Sequence, residues 1–185
     1  MNLLGLGLYG VSNHEDALSV QQAELSVLRR RGASANDILA VQGNFANMYE
    51  TLGQRERALA LRREVYTKRR VLMPEDPDTI LATLNLVNSL IDDGHFAEVR
   101  TLINETLPTA RRVCGDAHDT TLGLRYMLPR SVLLNPDATR QDLRVAKDEI
   151  EDLLRTTRRV FGNSHPRVEL VRTLLEAANQ RLEVG

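Results

Sequence analysis

Apolar residues recur at steps of three and four through Ile38, Val41, Phe45, Met48 and Leu52, and again through Ala58, Leu61, Val65 and Leu72. That spacing puts each set on one face of a 3.6-residue helix, so both stretches read as amphipathic helices. Gly53 falls between them and Gly94 between the next pair, where a residue free to take positive φ ends one helix and lets the chain reverse. Asn36 or Asp37, Asp76 or Asp78, and Asp116 or Asp119 stand at helix starts, where a short side-chain oxygen accepts from free backbone N–H groups. Helices are predicted over 2–10, 14–31, 36–52, 55–72, 78–93, 96–113, 119–134, 139–160 and 166–183. Pro108 and Pro129 lie inside two of them, where the missing N–H and the ring clash are expected to bend or break the helix.

The pattern repeats. Arg69-Arg70-Val71-Leu72, Arg111-Arg112-Val113-Cys114 and Arg158-Arg159-Val160-Phe161 each precede a short polar break. Asp37, Asp78 and Asp119 are 41 residues apart, and Asn44 with Asn85, Asn47 with Asn88, Gly53 with Gly94, and Ala17 with Ala58 keep the same interval. A fixed period of this length is the signature of stacked helical hairpins. The approximate units are 1–35, 36–77, 78–118 and 119–165, with 166–185 as a terminal helix, all in a single repeat domain. The first unit lacks most of an opening helix and is expected to be incomplete, so that the chain is a piece of a longer array. The fourth hairpin is longer than the others, and Asn135-Pro136-Asp137-Ala138 is placed in its inter-helix turn.

Ala46, Gly53 and Ala58 stand at the spacing of the tetratricopeptide repeat, which the second unit resembles. Asn44-Phe45-Ala46-Asn47-Met48-Tyr49-Glu50-Thr51-Leu52-Gly53 and Asn85-Leu86-Val87-Asn88-Ser89-Leu90 sharpen the resemblance to the long repeats of kinesin light chain type, whose length is about 42 residues. HEAT and armadillo repeats share a similar period and are the rival architecture, against which the Gly-to-Ala spacing argues. Val87 and Val99 depart from the small residues expected in the third unit, and the fourth has Tyr126, Pro129 and no turn glycine. The resemblance implies an all-α fold, a right-handed α-solenoid of antiparallel helical hairpins whose first helices line a concave surface. It places Asn44, Asn47, Asn85 and Asn88 on that surface, with Glu50, Thr51, Leu84, Ile91, Asp92 and Arg125 as neighbouring lining positions. An amide both donates and accepts, which suits the backbone of an extended peptide. The same asparagines would alternatively hydrogen-bond to adjacent helices and fix the packing of the repeats.

Composition narrows the function. Hydrophobic residues make up 42% and charged residues 26%, enough apolar surface for a folded core, while a net charge of −1 gives no basic face for nucleic acid or an anionic membrane. No apolar run approaches the roughly 18 residues of a membrane span. A lone cysteine, Cys114, forms no disulfide framework, and a cytoplasmic protein is expected. Gly5-Leu6-Gly7-Leu8-Tyr9-Gly10 fits a nucleotide fingerprint in letters only, because no strand has room to precede it. His14, His95, His118 and His165 sit near helix starts or turns without metal-ligand spacing. The expected function is therefore protein–protein interaction: a partner peptide or segment bound in the groove, with no enzyme activity, cofactor or metal. The second expectation is a self-assembling scaffold or spacer that forms a homo-oligomer through exposed terminal helices.

Overall fold

The computed structural model of the chain describes residues 14–184. Eight helices fill them: α1 (His14–Arg30), α2 (Ala35–Thr51), α3 (Arg55–Leu72), α4 (Pro77–Asp92), α5 (Phe96–Val113), α6 (Asp119–Leu134), α7 (Arg140–Phe161) and α8 (Pro166–Val184). The helix expected over 2–10, the opening part of the first unit and the glycine-rich Gly5–Gly10 motif lie outside the described residues. The chain divides into two compact units between Pro74 and Glu75.

In the first unit α1 packs on α2 and α2 on α3. Phe45, Ala46 and Met48 of α2 are buried with Ala58, Val65 and Tyr66 of α3, as the three-and-four spacing requires. Gly53, at φ 71°, ends α2: its N–H donates to the Glu50 carbonyl and that of Gln54 to the Tyr49 carbonyl, the paired bonds of a Schellman turn. In the second unit each helix from α4 to α8 packs on the next, and α4 also touches α6, as α6 touches α8. Its core runs through Ile80, Leu86 and Leu90 of α4, Val99 and Ile103 of α5, Leu122 and Leu124 of α6, Ile150 and Leu153 of α7, and Val168 and Val171 of α8. Burial of an aliphatic side chain of this size contributes about 1.5–3 kcal/mol.

The helix starts differ in part from expectation. Asp76 caps α4, accepting from the Asp78 N–H at 2.8 Å, but Ser34 caps α2 and the Nδ1 of His118 caps α6, accepting from Thr120 N–H at 3.2 Å. The carboxylates of Asp37 and Asp119 sit in the first turns instead, favourable positions against the positive end of the helix. The repeated arginines do occupy last turns. Two of them close their own hairpin: buried Arg69 donates to Asn36 Oδ1 at 2.7 Å, and Arg112 grips both oxygens of Glu75 at 2.7 and 2.9 Å. These two guanidinium groups are engaged within the chain.

Pro108 and Pro129 do not interrupt α5 and α6. Each removes one N–H bond, and the apolar contacts on either side, Ile103 and Ala110 around Pro108, Leu124 and Val132 around Pro129, hold the helix through the gap. Pro108 is solvent-exposed, so its replacement by alanine restores a donor for the Asn104 carbonyl without disturbing the core. Pro108→Ala is expected to raise the unfolding free energy by about 2 kcal/mol in urea denaturation. An unchanged midpoint would mean that the surrounding turn has already absorbed the missing bond.

Candidate functional site

Helices α4, α6 and α8 are the first members of successive hairpins. On α4, Leu81, Leu84, Asn85, Asn88 and Asp92 fall at helical spacing on one incompletely buried face. Residues of α6 and α8 continue that surface. A groove of about 490 Å³ between these two helices is lined by Tyr126, Arg130, Leu134, Leu174, Ala177 and Arg181. A smaller cavity of about 190 Å³ lies where α4 joins them, walled by Leu84, Gly123, Tyr126, Met127 and Leu170, with the Arg167–Asp119 ion pair at 2.8 Å on its edge. A Cβ built on Gly123 would stand 2.9 Å from Cδ2 of Leu84, so this position is where α4 and α6 approach closely. Tyr126 belongs to both hollows.

The asparagines split into two kinds. In the first unit Asn47 Oδ1 accepts from Arg62 Nη2 at 3.1 Å and Glu50 Oε2 from Arg62 Nη1 at 2.9 Å, while the Thr51 hydroxyl donates to the Asn47 carbonyl at 3.0 Å. In the second unit one guanidinium again takes two residues of a first helix: Arg130 donates to Asn88 Oδ1 at 3.1 Å and to Asp92 Oδ1 at 3.3 Å. Asn47 and Asn88 therefore serve packing. Asn44 and Asn85, one helical turn earlier, are half-buried and make no side-chain hydrogen bond among the described residues. An amide left partly desolvated without a partner carries a free-energy cost that a ligand bond would relieve.

Two of the expected lining positions face elsewhere. Ile91 is 3% exposed and belongs to the core, because one residue of helix turns the side chain by about 100° and Asp92 takes the solvent side. Arg125 pairs with Asp152 of α7 at 2.7 Å, so it ties the two helices of its own hairpin. Leu84 does line the cavity.

Three groups escaped the sequence reading of the site. Arg62 and Arg130 share no repeat register, so the period gave no hint of them. Tyr126 did have a signal: Asn44, Asn85 and Tyr126 are spaced by 41 residues each, and the tyrosine stands where the free amides stand in the preceding hairpins. Its hydroxyl, like those amides, makes no hydrogen bond among the described residues. Burial pushes the Tyr126 phenol above its ordinary pKa, with nearby Arg130 opposing the shift, so it is a neutral donor at physiological pH. Among the described residues no set of three or more His, Cys, Asp or Glu side chains could hold a metal ion, and no helix is long and apolar enough to cross a membrane.

The tetratricopeptide repeat family matches residues 38–78, which span α2, α3 and the turn into α4. No curated protein matches the chain in sequence. Solved structures match its fold. The nearly identical TPR-like repeats of kinesin light chain type from Podosopora anserina are 17% identical, with a TM-score of 0.74 over 97% of this chain and 86% of theirs. A substituted form of the same repeats is 18% identical, with a TM-score of 0.77 over 97% and 85%. BtubC (BKLC) from P. vanneervenii is 15% identical, with a TM-score of 0.80 over 99% of this chain and 74% of that one. These are all-α repeat solenoids, the architecture the 41-residue period requires. Tetratricopeptide repeats generally mediate protein–protein interaction or scaffolding. Residues 38–78 thus match a tetratricopeptide repeat, and the helices of the chain take the fold of the kinesin light chain-like repeats.

Proposed function

We propose that this chain is a protein-interaction module that binds an extended segment of a partner along the open faces of its first helices. The observation that carries the reading is a shared repeat register, Asn85 and Tyr126 in the second unit and Asn44 in the first: each is a hydrogen-bonding side chain, half-buried and free of hydrogen bonds to other described residues. Polar groups that serve packing are paired, as Asn47 and Asn88 are. Unpaired ones on an open face suit the backbone N–H and C=O groups of an extended chain, which recur whatever its sequence. The fold is typically non-catalytic, and the module is read as binding without turnover.

The test is a lysate pull-down with the wild type, an Asn44→Ala/Asn85→Ala variant and an Asn47→Ala/Asn88→Ala variant, each checked for helicity by circular dichroism. Recovery of partners is expected to fall about tenfold in the first variant, equivalent to the loss of two modest hydrogen bonds. The second is expected to keep its partners while unfolding at lower urea. Equal recovery with all three proteins would place recognition on another face.

A further inference from the structure

Helices α4, α6 and α8 present both apolar and charged side chains, so the class of partner turns on whether those charges are available. The ionic groups that line the groove and the cavity are Asp119, Arg130, Arg167 and Arg181. Each is already engaged. Arg167 and Asp119 neutralise one another at 2.8 Å. Arg130 is held by the Asp92 carboxylate and the Asn88 amide oxygen, with the Met127 sulfur 3.6 Å away. Arg181 donates to the backbone carbonyls of Val132, Leu133 and Asn135, the negative end of α6, and so offsets a helix terminus.

A ligand carboxylate would have to displace Asp92 from Arg130, Asp119 from Arg167, or three carbonyls from Arg181. In each case it gains only the difference between two similar bonds, and at partly exposed sites that difference is small. What is left unsatisfied is apolar surface and two neutral donors. Leu170 is 50% and Leu134 51% exposed at the rims of the two hollows, and the Asn85 amide and Tyr126 hydroxyl have no hydrogen-bond partner among the described residues.

From this charge balance we infer that the α4–α6–α8 face selects an uncharged partner segment that seats an apolar side chain in the cavity beside Tyr126 and Leu170. The inference rests on the binding reading above and adds the chemistry of the occupant. Exclusion of water from the leucines supplies the affinity, and Asn85 and Tyr126 supply orientation through the segment's backbone. An acidic segment gains little from the guanidinium groups and brings carboxylates close to Asp92 and Asp119.

A displayed library of random short peptides, selected on the immobilised chain, tests this. Enriched peptides are expected to carry leucine, isoleucine or methionine and a net charge near zero. In fluorescence polarisation the dissociation constant of the best one should change less than about twofold between low and high salt, since no exposed ion pair is formed. Leu170→Glu, a substitution at a half-exposed site, should weaken that peptide by about tenfold, and Tyr126→Phe by a smaller factor. Enrichment of Asp- or Glu-rich peptides whose binding collapses in salt would overturn the inference and leave the binding reading intact. Binding unmoved by Leu170→Glu would overturn the placement. A library that yields no peptide at all would remove both.

Discussion

Ile150→Ala is expected to lower the unfolding free energy by about 4 kcal/mol, the upper part of the range for deleting a fully enclosed aliphatic side chain. Ile150 has 0% exposure and sits in the cluster that joins three helices, with Leu122 of α6, Leu153 and Leu154 of α7, and Val168, Val171, Leu174 and Ala178 of α8. Alanine forfeits the transfer energy of the lost carbons and leaves a hollow that packed neighbours on three sides cannot collapse to fill. In a repeat architecture that loss is not shared evenly, since stability is close to a sum of local and nearest-neighbour contributions. Among the described residues α8 packs mainly on α6 and α7, at the end of the row of helices, so it is expected to open first. Hydrogen exchange should show the amides of α8 losing most of their protection while those of α4 and α5 lose little. Equal loss across α4 to α8 would mean that the unit unfolds as one body. Because α8 contributes Leu170, Leu174, Ala177 and Arg181 to the two hollows, the same variant should bind a groove ligand more weakly without touching it.

The sequence made the helices legible and much of the site opaque, for one physical reason: periodicity reports which face is buried, and says nothing of what a side chain meets there. The predicted spans 55–72 and 96–113 coincide with α3 and α5, because the 3.6-residue pattern, the glycine turns before them and the terminal arginines agree along each, and 119–134 coincides with α6 without a turn glycine or terminal arginines. Caps were less legible. Several short polar side chains precede each helix, and Ser34 caps α2 instead of Asn36 or Asp37 because its extended backbone, φ −61° and ψ 154°, brings the hydroxyl to the Asp37 N–H. Asparagine pairs at a 41-residue interval mark one register of the first helices, but their division into bound and free members depends on Arg62 and Arg130. One comes from the second helix of the same hairpin and the other from the first helix of the next, 15 and 42 residues from the asparagines they hold. No repeat register encodes that. Ile91 and Arg125 show the other limit: on a helix, an error of one position carries a residue from the open face into the core or against α7.

Gly162→Ala is expected to cost about 2–3 kcal/mol, although the residue is exposed and an added Cβ would meet nothing within 4 Å. The cost comes from the backbone. Gly162 ends α7 at φ 80° and ψ 165°, a region that a side chain on Cα effectively closes. This conformation sends the chain from the Arg158 carbonyl, which the Gly162 N–H caps at 2.9 Å, back toward α7, so that the His165 ring stacks on Phe161 with centroids 4.6 Å apart. Nδ1 of the same histidine accepts from the Arg167 N–H at 3.1 Å and starts α8. An alanine must either hold the strained torsion or give up the stack and the cap together. Asparagine separates these energetics from those of an ordinary helix-ending glycine. It tolerates the left-handed helical region, so Gly53→Asn is expected to cost a few tenths of a kcal/mol, roughly, while Gly162→Asn should remain nearly as damaging as alanine. Urea denaturation of the three variants decides it. If Gly162→Ala loses less than about 0.5 kcal/mol, the turn relaxes into a common conformation at little cost, and α8 does not depend on this glycine for its place on α7.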